Sequence, residues 1–245
     1  MLINFDKKTD VESWLLKSHK IFCMKKAILF GASGFVGSNL LDELLNNSDY
    51  EKVTIVVRKN LNIIHPKLET LIGDYPSLLK LKLNIVADDI FIVLGTTKKN
   101  TPNKDDYYQI EHDYPVLAAK IAKENGVKSI FIVTAVGANA NSKMFFLKTK
   151  GQIERDIIAL DFQHTHIFRP SMIMGTRKEK RQMEKSLIKL WSLINPILIG
   201  KYLNKYKGID GKDIAKAMNN SAKNQFEKVK IYQWKEMNNL LHFHS

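Results

Sequence analysis

A single cysteine, Cys23, stands in a chain of 245 residues. A lone thiol closes no disulfide within the chain and builds no cysteine-based metal cluster; it suits a reducing compartment, and a cytoplasmic protein is the expectation. No uninterrupted apolar run reaches the roughly 18 residues that suggest a membrane-spanning helix. The first 24 residues, MLINFDKKTDVESWLLKSHKIFCM, mix acids with bases around no long apolar segment and do not read as a secretory signal. They form an appendage ahead of the first strand, with a short helix expected around Val11 to Leu16, and Met24 offers an alternative start.

Acids are also scarce relative to bases, 25 against 38, for a net charge of +13 and a pI near 9.6. Such an excess raises nucleic acid or an anionic membrane as a partner. The surplus is almost all lysine and is spread along the whole chain. Its densest cluster, Arg177 to Arg181 (RKEKR), includes a glutamate and no aromatic. It reads as a solvated basic surface, and nucleic-acid binding is not the main function. Apolar and charged contents of 44% and 26% are those of a soluble globular protein. The length allows one well-buried α/β domain with a small attached lobe and is short for two independent domains.

What the chain does have is one organising stretch, Lys26 to Leu45, KAILFGASGFVGSNLLDELL. An apolar run, Ala27 to Phe30, is followed by glycines at Gly31, Gly34 and Gly37 and then by Leu40, Leu41, Leu44 and Leu45 at helical spacing. In strand, loop and helix order, three glycines have distinct uses: a tight exit from the strand, a close approach of backbone to a ligand, and close packing of helix on sheet. Exposed N–H groups at the helix start would then hold a pyrophosphate. A triphosphate-binding loop fits less well, because no Gly-Lys-Ser/Thr ending is present.

Further strands are expected at Lys52 to Val57, Leu68 to Ile72, Ile90 to Leu94, Val127 to Ala135 and His164 to Phe168. Helices lie between them, at Asp106 to Asn125 with a break near Pro115, and at Lys143 to Leu160. This alternation predicts an α/β fold with a doubly wound parallel sheet, its ligands gathered at the carboxyl ends of the strands. Beyond Pro170 the alternation is lost. Ser186 to Gly200 is apolar but interrupted by Lys189 and Pro196, and Asp210 to Asp213 reads as the capped start of a helix running through Ala222. The expected organisation is an appendage at 1–24, a nucleotide-binding core at 25–170 and a small substrate-side lobe at 171–245, packed on the core as one domain overall.

The end of the second strand carries Arg58 and Lys59, where a carboxylate would grip an unphosphorylated ribose. A guanidinium there can fork onto a 2'-phosphate, which favours NADP(H) over NAD(H). Such a contact is worth roughly 1.5 to 3 kcal/mol, or about tenfold to a hundredfold discrimination.

Taken together, Gly31 to Gly37, Arg58, Leu94 to Thr97, Lys150-Gly151 with Ile153-Glu154, and Phe168-Arg169-Pro170 resemble the atypical short-chain dehydrogenase/reductases. The likeness is to the NADP(H)-binding group that includes the human Tat-interacting tumour suppressor, over about Lys25 to Ala222. The resemblance implies a Rossmann-type fold in which Gly31, Ser33, Gly34, Phe35, Val36 and Gly37 form the loop at the pyrophosphate. It sets Arg58 and Lys59 at the 2'-phosphate, Asp74 and Tyr75 near the adenine, and Gly95, Thr96 and Thr97 along the ribose side. Thr134 and Ala135 fall where the family has a serine pair. Lys150 falls on the lysine that holds the nicotinamide ribose, and Arg169 and Pro170 close the site.

One element of the family pattern is absent. Four residues before Lys150 the family has a catalytic tyrosine; here the position is Phe146, and no Tyr-x-x-x-Lys occurs in the chain. Phenylalanine neither donates nor accepts the proton that carbonyl reduction requires. Thr134 could still hydrogen-bond a substrate oxygen. His164 and His166 sit toward the wrong end of their strand and read as structural, and His242 with His244 lack further ligands at metal spacing. Met144, Phe145, Phe146, Met172 and Met174 are expected around a substrate pocket.

Three functions remain open: an NADP(H)-dependent oxidoreductase on a small molecule, a catalytically silent NADP(H)-binding regulator, and a nucleotide-sugar epimerase. The segment Leu187 to Tyr206 reads as a lid over the substrate cleft in preference to a membrane or protein docking surface.

Overall fold

The computed structural model describes residues 24–175, 204–223 and 225–242. Cys23, the helix expected around Val11 to Leu16, the Arg177 to Arg181 cluster, the run Ser186 to Gly200, most of the expected lid and His244 lie outside the described residues.

Seven strands form one parallel sheet in the order β3-β2-β1-β4-β5-β6-β9. They are β1 (Lys25–Phe30), β2 (Tyr50–Val57), β3 (Leu68–Ile72), β4 (Asp89–Ile92), β5 (Ser129–Val133), β6 (His164–Phe168) and β9 (Val229–Tyr232). Helix α1 (Phe35–Asn46) links β1 to β2, and a 3-10 turn, Leu78–Asn84, precedes β4. After β4 come α2 (Lys104–Tyr108), a π-helical segment (Gln109–Asp113) and α3 (Tyr114–Glu124); α4 (Phe145–Ala159) leads into β6. A separate two-stranded sheet pairs β7 (Ile173–Met174) with β8 (Ile209–Asp210), followed by α5 (Gly211–Ser221) and, after β9, by α6 (Trp234–Leu241).

The strands are apolar on both sides because both faces are covered. Ala27, Leu29, Phe91, Phe131 and Phe168 pack with Leu40, Leu44, Ile214 and Met218 of α1 and α5. The alternate residues Ile28, Phe30, Ile90, Ile130 and Ile167 pack with Ala118, Ile121, Ile153 and Ile157 of α3 and α4. On the first face aromatic rings run across the sheet: Phe91 stacks on Phe131 at 4.5 Å, Phe131 on His166 at 4.5 Å and Phe168 on Tyr232 at 4.6 Å.

The expected elements are present with adjusted ends. Strands β3 and β6 match their expected bounds, β2 starts two residues earlier, β4 stops at Ile92, and β5 is confined to Ser129–Val133. Helix α5 has Asp210 as its N-cap, whose side chain accepts the Lys212 N–H. The break near Pro115 is real and falls before it. Proline has no N–H to offer the Glu111 carbonyl four residues back, so the α-helical ladder fails there. A π-turn occupies the gap, with Pro115 in the first turn of α3. The last part of the chain departs further from expectation. The segment expected as a small lobe packed on the core includes β9, which pairs in parallel with β6 from Thr165↔Val229 to Phe168↔Tyr232 and extends the main sheet.

Candidate active site

Strand order reverses between β1, which turns toward β2, and β4, which turns toward β5. Loops leaving the carboxyl ends of these strands diverge there and open a crevice, the standard ligand position in such sheets. The glycine loop occupies its floor. Gly31 has φ +95, and a Cβ on it would lie 2.7 Å from the Val93 carbonyl oxygen. A Cβ on Gly37 would lie 1.9 Å from the Gly31 carbonyl oxygen, so α1 packs against the loop as closely as backbone permits. Gly34 and Ser33 are exposed. The first i→i−4 bond of α1 runs from Ser38 N–H to the Gly34 carbonyl at 2.8 Å. The Val36 and Gly37 N–H groups come ahead of it in the first turn, where no helical carbonyl lies four residues back. Val36 is buried beneath, and the Phe35 ring lies against Gly175 and Gly211, where an added Cβ would come within 2.5 and 2.4 Å of it.

To one side, Arg58 and Lys59 are exposed immediately after β2. Asp74, after β3, closes a turn with Ser77: the Ser77 hydroxyl donates to its carboxylate at 2.6 Å and the Ser77 N–H at 3.1 Å. These bonds hold the Asp74 carboxyl below its ordinary range, with a smaller contribution from the Arg58 charge. The Tyr75 ring meets Tyr114 edge-on at 5.9 Å.

To the other side, the turn after β4 meets α4 through one residue. Glu111, 2% exposed, accepts the Thr96 N–H on Oε1 at 2.5 Å, and its Oε2 lies 2.6 Å from Lys150 Nζ. Lys150 is 7% exposed, so it is no solvated helix lysine. Gly95 lies alongside; a Cβ there would sit 3.4 Å from Glu111 Oε1. The Thr96 and Thr101 hydroxyls share a hydrogen bond of 2.8 Å. Thr97 caps the following turn through its carbonyl, which accepts from Asn100 and Thr101 at 2.9 Å. One helical turn before Glu111, the Tyr107 phenol is pushed well above its ordinary value by burial and, second, by the Glu111 charge.

Thr134 follows β5 directly. Its hydroxyl donates to Glu154 Oε1 at 2.6 Å, and Glu154 is gripped by Arg169, whose Nε donates at 2.9 Å while its Nη2 holds the second oxygen. The Pro170 carbonyl accepts the Val136 N–H at 2.9 Å. Thr134 and Arg169 thus meet each other through Glu154. Phe146 is 43% exposed and Met144 64%, while Phe145 packs on Tyr107 at 5.8 Å; Met172 and Met174 are half-buried. His166 is buried in the aromatic stack and bonds through Nδ1 to the Tyr232 hydroxyl at 2.9 Å. His164 Nδ1 lies 3.1 Å from the Glu227 carbonyl.

Two residues escaped the sequence reading. Glu111 gave no motif signal; its one trace was Pro115 four residues later. His112, beside it, bridges Asp113 at 2.8 Å and Asp156 at 2.9 Å and ties the π segment to α4.

A parallel sheet with reversed strand order, a glycine-floored crevice and a helix start aimed into it define a dinucleotide-binding protein of Rossmann type. A family model described as NAD(P)H-binding matches residues 31–188. The mitochondrial protein FMP52-1 of Scheffersomyces stipitis is 30% identical over 231 residues, covering 87% of this chain and 97% of the relative. The mitochondrial protein FMP52 of Eremothecium gossypii is 33% identical over 152 residues, 62% of this chain and 68% of the relative. Among solved structures, MoeE5 in complex with UDP-glucose and NAD superposes with a TM-score of 0.63 at 16% identity, over 86% of this chain and 79% of that one, a likeness of fold alone. The chain belongs to the NAD(P)H-binding family. The expectation of a cytoplasmic protein is corrected by these relatives, which are named as mitochondrial. A reducing environment, all that a lone cysteine implies, does not distinguish the two compartments.

Proposed function

We propose that this chain is an NADP(H)-dependent oxidoreductase acting on a small molecule, in the mitochondrion as its relatives' names suggest. The observation that carries this reading is Lys150, buried at the crevice and paired with Glu111 at 2.6 Å. Burying an ammonium is costly without a partner, and a surface role needs neither burial nor pairing.

The glycine floor and helix start bind the pyrophosphate through Gly31, Ser33, Gly34, Phe35, Val36 and Gly37. Arg58 and Lys59 meet the 2'-phosphate, which makes NADP(H) the preferred nucleotide, and Asp74 and Tyr75 flank the adenine. Gly95, Thr96 and Thr97 line the ribose side, and Lys150 donates to the nicotinamide ribose. Thr134, Arg169 and Pro170 form the wall behind it. The bound nucleotide supplies or accepts a hydride. Phe146 takes no part in proton transfer, so this chain suits an acceptor that receives the hydride first and its proton afterwards from water, as a flavin or quinone-like ring does.

A second reading, a catalytically silent NADP(H)-dependent regulator, is favoured by one feature: the phenyl ring of Phe146 stands partly exposed where the family has its tyrosine. An epimerase acting on a nucleotide sugar would miss the same phenol.

The test is titration with NADPH and NADH for wild type, Arg58→Ala and Phe146→Tyr, with NADPH oxidation followed over carbonyl, quinone and flavin panels. We expect NADPH to bind more tightly than NADH, Arg58→Ala to lose about tenfold to a hundredfold of the NADPH affinity, and wild type to reduce a quinone or flavin. Turnover only in Phe146→Tyr would favour the regulator, and binding of neither nucleotide would overturn both readings.

A further inference from the structure

Lys150 is held by one residue that no motif marks. We infer that Glu111 is the positioning residue of this site: one carboxylate fixes the Lys150 ammonium and the Gly95-Thr96 turn relative to each other, so that nucleotide affinity depends on it. This inference rests on the role proposed above for Lys150.

The two oxygens of Glu111 serve two separate elements. Oε2 lies 2.6 Å from Lys150 Nζ on α4, and Oε1 accepts the Thr96 N–H at 2.5 Å from the turn after β4. Glu111 and Lys150 are both nearly excluded from water. Stability alone is a poor reason for such a pair, since apolar side chains of similar size pack as well at lower desolvation cost. The pair also meets the Gly95-Thr96 turn that follows β4, on the side of the sheet where the strands' carboxyl ends gather ligands. The backbone that carries Glu111 is itself irregular: it sits in the π segment that precedes Pro115. A π-turn changes the direction in which the following side chains leave the helix, and such turns are frequent at functional sites. His112, next in sequence, anchors the same segment to Asp156 of α4. The turn carrying Glu111 is thereby fixed against the helix that carries Lys150.

The experiment is a double-mutant cycle in NADPH binding with Glu111→Gln, Lys150→Met and the combined variant, alongside Glu111→Asp. Mass spectrometry of reductive methylation at Lys150, relative to exposed Lys99, gives a second readout that needs no nucleotide. We expect Glu111→Gln to weaken NADPH binding about tenfold, with no further loss when it is added to Lys150→Met. Methylation at Lys150 should accelerate while that at Lys99 stays constant, and Glu111→Asp should recover part of both effects. Unchanged affinity and unchanged Lys150 protection in folded Glu111→Gln would overturn the inference, as would fully additive losses in the cycle. If wild type binds neither nucleotide, the proposed function falls; Lys150 protection insensitive to Glu111 would then remove the positioning role as well. If Glu111→Gln does not fold, Glu111→Asp, which keeps the charge and withdraws it by one methylene, carries the same two readouts.

Discussion

Thr134 donates its hydroxyl hydrogen to Glu154 across 2.6 Å, and Arg169 closes on the same carboxylate from just beyond β6. The carboxylate that joins them is only 4% exposed. Replacing Thr134 by valine removes a bond to a buried charge and should cost about 1 to 3 kcal/mol of stability in urea unfolding. Thr134→Ser should recover most of it. Glu154→Ala should cost more, about 3 to 5 kcal/mol, because it strands the Arg169 guanidinium. If Thr134→Val leaves unfolding unchanged and weakens only nucleotide binding, the hydroxyl serves a ligand after all.

The glycines of the loop and of α4 divide by what stands next to them. At Gly37 an added methyl meets a carbonyl oxygen at 1.9 Å, and at Gly151 it meets the Ala140 backbone nitrogen at 2.0 Å. Neither neighbour can move without shifting a strand or loop, so Gly37→Ala and Gly151→Ala should each lose at least about 3 kcal/mol of stability. Gly34 has φ −78, which any residue adopts, and its added methyl meets its nearest atom at 3.3 Å. Gly34→Ala should stay within about 1 kcal/mol of wild type while losing nucleotide affinity, because the methyl projects where the pyrophosphate is proposed to lie. Thermal melts with and without NADPH separate the two classes. A Gly37→Ala variant as stable as wild type would contradict the close packing of α1 on the loop.

What was legible in the sequence follows from where the information resides. Strands β3 and β6 were readable to the residue because runs such as LETLI and HTHIF are bounded by turn residues. Strand β9, VKIY, was not: it is four residues long, carries Lys230, and exposes Val229 and Ile231. Its strand character comes from the ladder that β6 offers. The glycine loop was readable because its spacing is itself the mechanism. Glu111 was not, because DDYYQIEHD reads as a polar helix face, and a π-turn breaks the 3.6-residue period on which such readings depend. Thr134 is legible by its position after β5; its bond to Glu154 is not, because the partner stands 20 residues further along the chain.

His166 supplies a pH dependence whose sign can be worked out. Burial, with a lesser contribution from the neighbouring His164 charge, pushes its pKa down from the ordinary 6.5 to about 3. Its ring is stacked on Phe131 and bonded to the Tyr232 hydroxyl. The folded state therefore binds a proton here less readily than the unfolded state. The resulting stability is fully present above pH 6.5 and is lost as the pH falls toward about 3, at a rate approaching ~1.4 kcal/mol per pH unit. A double variant, His166→Phe with Tyr232→Phe, keeps the ring stack and leaves no hydroxyl without its partner. Carboxylates titrate in both proteins, so the informative quantity is the difference in unfolding free energy between them. That difference should move steadily in favour of the variant between pH 6.5 and pH 4. Parallel curves over the same range would mean that His166 takes up its proton as easily inside the sheet as in the unfolded chain.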